Sequence, residues 1–162
     1  MTDRAIPDAL RAATRHLADV SDTPRLDAEL LMAHVLGLSR ADMLLRQREL
    51  DVPAGFAVLL DRRLTGAPIA HITGTRDFWT ISLAVTPDTL IPRPDSETLI
   101  EAAVDHFHGR APETILDLGT GSGALLLAAL AQWPQAKGWV IDPSAPALAV
   151  AQANAACLAL AD

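Results

Sequence analysis

Residues 115–123, Ile-Leu-Asp-Leu-Gly-Thr-Gly-Ser-Gly, are where residue type and spacing could do chemistry. Glycines at 119, 121 and 123 follow a short apolar run and precede an Ala/Leu-rich stretch. This is the pattern of a strand, a tight turn and a helix N-terminus. Glycine has no Cβ and tolerates positive φ, so a ligand can come close to the backbone there. The helix start offers unpaired N–H groups and the positive end of a dipole. An adenine-nucleoside cofactor suits such a site.

Spacing alone leaves two cofactors open. Gly119-x-Gly121-x-x-Ala124 satisfies the dinucleotide fingerprint in its Gly/Ala form. Asp142 ends the next predicted strand, 19 residues after Gly123, where an acid accepts hydrogen bonds from ribose hydroxyls. A nicotinamide cofactor fits these facts. Two details favour S-adenosyl-L-methionine, which has a ribose, an ammonium and a sulfonium but no pyrophosphate. Asp117 lies inside the strand, where a carboxylate could reach a cationic amino-acid group, and Gly123 makes the turn roomier at its third position.

The elements that must position this turn are legible on both sides. Pattern predicts a strand over 114–118, a helix over 124–132, a strand over 138–141 and a helix over 144–160, one βαβα unit of a parallel sheet. Upstream, Ile6, Leu10, Ala13, Leu17 and Val20 recur at helical spacing, and Thr23-Pro24 reads as an N-cap with proline at the first helical position. That second helix stops at Gly37, Ser39 with Asp42 resembles a capping box, and a fourth helix runs from Pro53 to Leu64. Residues 1–66 thus read as a small helical bundle. Ile69, Ile72, Phe78, Ile81, Leu83 and Val85, interrupted by Gly74-Thr75-Arg76-Asp77, read as a β-hairpin in a linker over 67–94. Residues 95–162 read as the first part of the cofactor-binding domain. In Pro92-Arg93-Pro94 the prolines hold the chain extended, and Asp95 or Ser96 can cap the helix after them.

Composition excludes several classes. Half of the 162 residues are apolar and a fifth are charged, as in a globular protein. The net charge of −7 argues against direct nucleic-acid binding. Most of the negative charge lies after residue 75, with ten Asp and Glu against four Lys and Arg. Cys157 is the single cysteine, so no disulfide framework or cysteine zinc site forms within the chain, and its place in an Ala/Leu helix predicts burial. His16, His34, His71, His106 and His108 show no metal spacing. No signal-type segment or membrane span is seen, and a cytoplasmic location is expected.

Asp-Leu-Gly-Thr-Gly-Ser-Gly-Ala at 117–124, together with Leu-Ile-Pro-Arg-Pro-Asp-Ser-Glu at 90–97, resembles the release-factor glutamine methyltransferases, the HemK/PrmC family. Asp27-Ala28-Glu29-Leu30-Leu31 is similar to the family's helical-domain signature. Gly66 to Gly74 with Phe78-Trp79 is similar to its interdomain hairpin, and Val150-Ala151-x-x-Asn154-Ala155 to the helix after the acidic strand end.

The resemblance implies a class I, Rossmann-like methyltransferase domain behind a helical domain, which docks the substrate protein or serves as a stabilising lid on the catalytic domain. It implies S-adenosyl-L-methionine as cofactor, Gly119, Thr120, Gly121, Ser122 and Gly123 along its methionine part, Asp117 beside them, and Asp142 on its ribose. The implied substrate is the glutamine of the Gly-Gly-Gln motif in peptide chain release factors, with a ribosomal-protein glutamine as the alternative. A monomer is expected for the complete protein. The family's Asn-Pro-Pro-Tyr motif has no counterpart: the chain has one asparagine, Asn154, and no tyrosine. No catalytic residue is therefore assigned, and a truncated member or a non-catalytic cofactor-binding fragment is expected. Three roles stay open. Phe78 and Trp79 cover the cofactor or pack the hairpin, Arg93 contacts a ligand or pins its loop, and Glu97 bonds the cofactor's amino end or completes a cap.

Overall fold

The structure, a computed structural model, describes residues 5–161. One compact unit ends at Thr73 and a second begins at Gly74. The first is helical, with α1 (Ile6–Leu17), α2 (Pro24–Leu36), α3 (Arg40–Arg46), α4 (Gly55–Leu64) and α5 (Ile69–Thr73). Leu10, Ala13 and Leu17 of α1 pack on Ala28, Leu31 and Met32 of α2, with Met43, Phe56 and Ile72 closing the core. Helix α1 ends a turn before the expected Val20, which is partly exposed and whose carbonyl accepts from Arg63 Nη2 at 3.3 Å. Gly37 ends α2 in the left-handed region (φ +63°) as expected, and Ser39 Oγ accepts the Asp42 N–H at 3.0 Å at the start of α3.

Two carboxylates on α2 are buried. Glu29, 1% exposed, is held between Arg25 Nε at 2.7 Å and Arg40 Nη2 at 2.6 Å. Asp27 accepts from Arg63 Nε and Ser21 Oγ, each at 2.7 Å, and from Thr23 Oγ1 at 3.3 Å. Thr23 thus occupies the N-cap position of α2, but its hydroxyl serves Asp27 rather than a backbone amide. A buried charge is tolerated only when paired and hydrogen-bonded, which these contacts supply.

The second unit carries the hairpin β1 (Thr75–Phe78) and β2 (Ile81–Ala84), then α6 (Glu97–Phe107), β3 (Thr114–Leu118), α7 (Ala124–Gln132), β4 (Lys137–Ile141) and α8 (Ala145–Cys157). Strands β3 and β4 pair in parallel with Asp117 opposite Val140, and α7 is the crossover between them. This mixed α/β architecture, a helical unit followed by a hairpin and parallel β-α-β elements, is the expected class. Phe78, Ile81, Leu83, Ile100, Leu127 and Ala128 form the second core. The face of the two-stranded sheet bearing Leu116, Leu118, Trp139 and Ile141 is exposed, Leu118 to 68%.

Local readings fail at several points. Ile69 and Ile72 belong to the helical turn α5 and not to the hairpin, because Ile72 fills the helical core. Residues 75–77, expected as the interruption, are strand, and the reversal falls at Trp79-Thr80 with Trp79 at φ +53°. Neither Asp95 nor Ser96 caps α6 by its side chain; a 3-10 turn over Pro94–Ser96 leads into it instead. The last helix starts at Ala145 behind the N-cap Ser144, with Pro146 in its first turn. That helix ends at Cys157, and the cysteine is exposed rather than buried. The buried stripe of α8 runs through Ala147, Ala151 and Asn154, and Cys157 falls beside it.

Replacing both Arg25 and Arg40 by Ala leaves the Glu29 carboxylate buried without a partner. The double variant is expected to lose about 3 kcal/mol of unfolding free energy in urea. Adding Glu29→Met to it should restore most of that loss, because a packed apolar side chain needs no counter-ion.

Candidate functional site

The turn after β3 adopts the conformation that its glycines allow. Gly119, Gly121 and Gly123 have φ of +79°, +57° and +86°. A Cβ at Gly119 or Gly121 would meet nothing within 4 Å, so both border open space. A Cβ at Gly123 would lie 2.9 Å from Leu127 Cδ1 and 3.4 Å from the Ala151 Cβ. Gly123 thus sits at the N-cap of α7 and lets α7 and α8 approach the turn, where the sequence suggested room for a ligand.

The turn's polar groups are held from β4 and from the segment after it. The Gly119 N–H donates to the Ile141 carbonyl at 2.7 Å, extending the β3–β4 ladder. Gly121 N–H donates to Asp142 Oδ2 at 2.8 Å, and Ser144 N–H to Asp142 Oδ1 at 2.8 Å. The Gly123 N–H donates to the Thr120 carbonyl at 2.9 Å. Ser122, Ala124 and Leu125 amides have no acceptor among the described residues, as expected of a helix N-terminus. Thr120 and Ser122 are themselves buried.

The two acids of the site are tuned in opposite directions. Burial pushes the Asp117 carboxyl above its ordinary value, against hydrogen bonds from the Thr120 side chain and the Leu126 backbone, and the charge of Asp142 pushes the same way as burial. The Gly121 and Ser144 amides hold Asp142 below its ordinary value, with only a small opposing effect of desolvation. At neutral pH Asp142 is a carboxylate stabilised by two amides, whereas Asp117 is an acid whose charge is costly until a cation arrives.

A cavity of about 140 Å³ opens beside the turn. Asp117, Gly119, Thr120, Gly121 and Ser122 line it from one side, and Phe78, Pro92, Arg93 and Ser96 from the other. Its volume is below the ~300 Å³ at which small-molecule pockets begin, room for only part of a nucleoside-sized ligand. Asp142 and Gly123 do not line it; Asp142 meets the turn from behind, through Gly121. A larger apolar cleft of about 360 Å³ between α7, β4 and α8, lined by Leu126, Leu130, Val140 and Ala155, offers no charged side chain.

The residues left open are now placed. Phe78 is fully buried in the second core and also lines the cavity, so it packs the hairpin and walls the site at once. Trp79 packs against that core. Glu97 neither caps its helix nor faces the turn: Oε1 accepts the Trp79 N–H at 3.0 Å and secures the hairpin reversal. Arg93 is exposed at the cavity and has no carboxylate partner among the described residues. One residue of the site had no role in the sequence reading. Asn154 of α8, 3% exposed, reaches both the turn and the hairpin. Its signal was a polar residue at position 154 on the apolar stripe 147–151–154 of an alanine-rich helix.

No helix among the described residues is long and apolar enough to cross a membrane, and no group of three or more potential metal ligands occurs among them. The PrmC N-terminal domain family matches residues 8–74. Release factor glutamine methyltransferases are similar over most of the chain. That of Burkholderia pseudomallei is 43% identical over 147 residues, covering 89% of this chain and 52% of its own length. That of Bordetella pertussis is 48% identical over 135 residues, covering 82% and 50%. That of Escherichia coli is 43% identical over 157 residues, covering 93% and 55%. The chain spans about half the length of the curated relatives it matches.

Asp117→Asn is expected to raise the Tm at pH 7. The raised pKa means that ionised Asp117 costs folding free energy above that pKa, and the amide removes this cost. The gain should vanish below pH 3.8, the ordinary carboxyl value, where the wild-type side chain is neutral in both states. Thermal melts across this range check it.

Proposed function

From a chain homologous to the release factor glutamine methyltransferases over about half their length, we propose that the glycine turn at 119–123 binds S-adenosyl-L-methionine. The whole protein, on this reading, methylates the side-chain amide nitrogen of the glutamine in the Gly-Gly-Gln motif of peptide chain release factors. The observation that carries the proposal is the open, positive-φ backbone at Gly119 and Gly121, set between Asp117 and the amide-bound Asp142.

The donor set fits this cofactor. Asp117 offers a half-buried carboxylate to an ammonium, and the pairing would repay the desolvation that now raises its pKa. Gly119 and Gly121 leave space where a side chain would stand. Asp142 spends one lone pair of each oxygen on Gly121 and Ser144 and keeps the others for ribose hydroxyls. Gly123 supports the turn by packing, and Thr120 and Ser122 contribute backbone along the cavity. Arg93, with no carboxylate partner among the described residues, stands at the same cavity and is suited to a carboxylate of the ligand. When bound, the cofactor supplies an electrophilic sulfonium methyl. The protein's part is orientation and electrostatics, because an amide nitrogen must be held in line with that carbon to react. The helical unit ending at Thr73 would dock the protein substrate, and the setting would be cytoplasmic.

A second reading is favoured by the state of the single asparagine. Asn154 is buried and both of its amide hydrogens are engaged, so it cannot orient a substrate amide. Residues 1–162 by themselves would then form a cofactor-binding fragment without transfer activity.

Calorimetric titration with S-adenosyl-L-homocysteine, the demethylated product, tests the cofactor. Binding is expected, and Asp142→Ala should weaken it about tenfold or more, equivalent to ~1.4 kcal/mol. An absence of binding would overturn the cofactor assignment. Labelled methyl transfer to a purified release factor by the 162-residue chain would sink the fragment reading.

A further inference from the structure

The carboxamide of Asn154 makes three hydrogen bonds, all to backbone. Oδ1 accepts the Ala84 N–H at 2.8 Å, and Nδ2 donates to the Ala84 carbonyl at 3.0 Å and to the Ser122 carbonyl at 2.9 Å. Both hydrogens of the amide are therefore used. Ala84 is the last residue of β2, so the side chain pairs with the outer edge of the hairpin as a neighbouring peptide would. Its third bond reaches the glycine turn. The Ser122–Gly123 peptide is then held at both ends, its carbonyl by Asn154 and its N–H by the Thr120 carbonyl. The adjoining Ser122 N–H has no acceptor among the described residues and lies beside the cavity.

Only a carboxamide of this length matches one donor and two acceptors at one point. A carboxylate would face two carbonyls with no hydrogen to offer, and an apolar residue would leave the Ser122 carbonyl buried without its donor and release both polar groups of Ala84. Asp142 and Asn154 pin the turn at successive positions, Gly121 and Ser122, and both stand on the segment formed by the end of β4 and α8.

We propose that Asn154 is a positioning residue for the glycine turn, tying it to β2 so that its free amides stay ordered before any ligand arrives. Its relevance to S-adenosyl-L-methionine rests on the reading above; the ordering of the turn does not.

Hydrogen exchange on the ligand-free chain separates the two. In Asn154→Asp at pH 8, exchange in the peptide covering 118–126 is expected to rise about tenfold over wild type after correction for intrinsic rates, with α1 to α5 unchanged. At pH 3.5, below the ordinary carboxyl value of 3.8, the introduced carboxyl regains a proton, can donate to one carbonyl, and should recover most of the protection. The affinity of the variant for S-adenosyl-L-homocysteine, taken relative to wild type at the same pH, should follow the same profile. Unchanged exchange at 118–126 would overturn the positioning role. So would a rise spread evenly over residues 74–161 at both pH values, which marks a general stability residue. Failure of the wild-type chain to bind S-adenosyl-L-homocysteine would defeat the cofactor reading and leave the exchange result to decide Asn154 alone.

Discussion

The second unit is organised by one requirement: the backbone polar groups of the turn after β3 must be satisfied without the turn being filled. Left-handed glycines expose their peptides on all sides, and buried N–H and C=O groups without partners are costly. The structure meets this from behind. Ile141 and Asp142 take the amides of Gly119 and Gly121, and Asn154 takes the carbonyl of Ser122. The cavity side keeps the unpaired amides at the start of α7 and the half-buried Asp117. Parallel pairing of β3 with β4 is what brings Ile141 and Asp142 to the turn, and α8 brings Asn154.

The same rule, applied to charge, shapes the helical unit. Asp27 and Glu29 lie on the inner side of α2 and are matched by arginines from α2, α3 and α4. The Arg63 guanidinium also reaches the carbonyls of Val20 and Ala67, joining the α1–α2 connection to the segment before α5. Buried ion pairs of this sort contribute less to net stability than apolar packing would, but they are expensive to break singly.

Much of this was legible in order of residues. Alternate glycines after an apolar run placed the turn, and the boundaries of β3 and α7 follow the pattern to the residue. Helix stops at Gly37 and Leu64 were equally visible, since their signals are local. The failures share a cause. Ile69 and Ile72 have β-branched side chains, yet the helical core claims Ile72. Trp79 turns the hairpin at positive φ with no glycine to announce it, supported by a carboxylate 18 residues away. Cys157 and Gly123 were misjudged because which face of α8 and which side of the turn are covered depends on neighbours that are distant in the chain.

The sequence by itself therefore determined the fold class, the position of the glycine turn and the family resemblance, because propensity, glycine chemistry and spacing act over a few residues. Tertiary structure alone decided how the acids are used and what holds the turn. Burial pushes the Asp117 carboxyl up while the Gly121 and Ser144 amides hold Asp142 down, and the packed hairpin uses Glu97 as a brace rather than a cap. Tertiary structure also gives the single asparagine a task that needs three backbone groups from positions 84 and 122 to meet at one point. Such convergence depends on distances in space, which residue order does not carry.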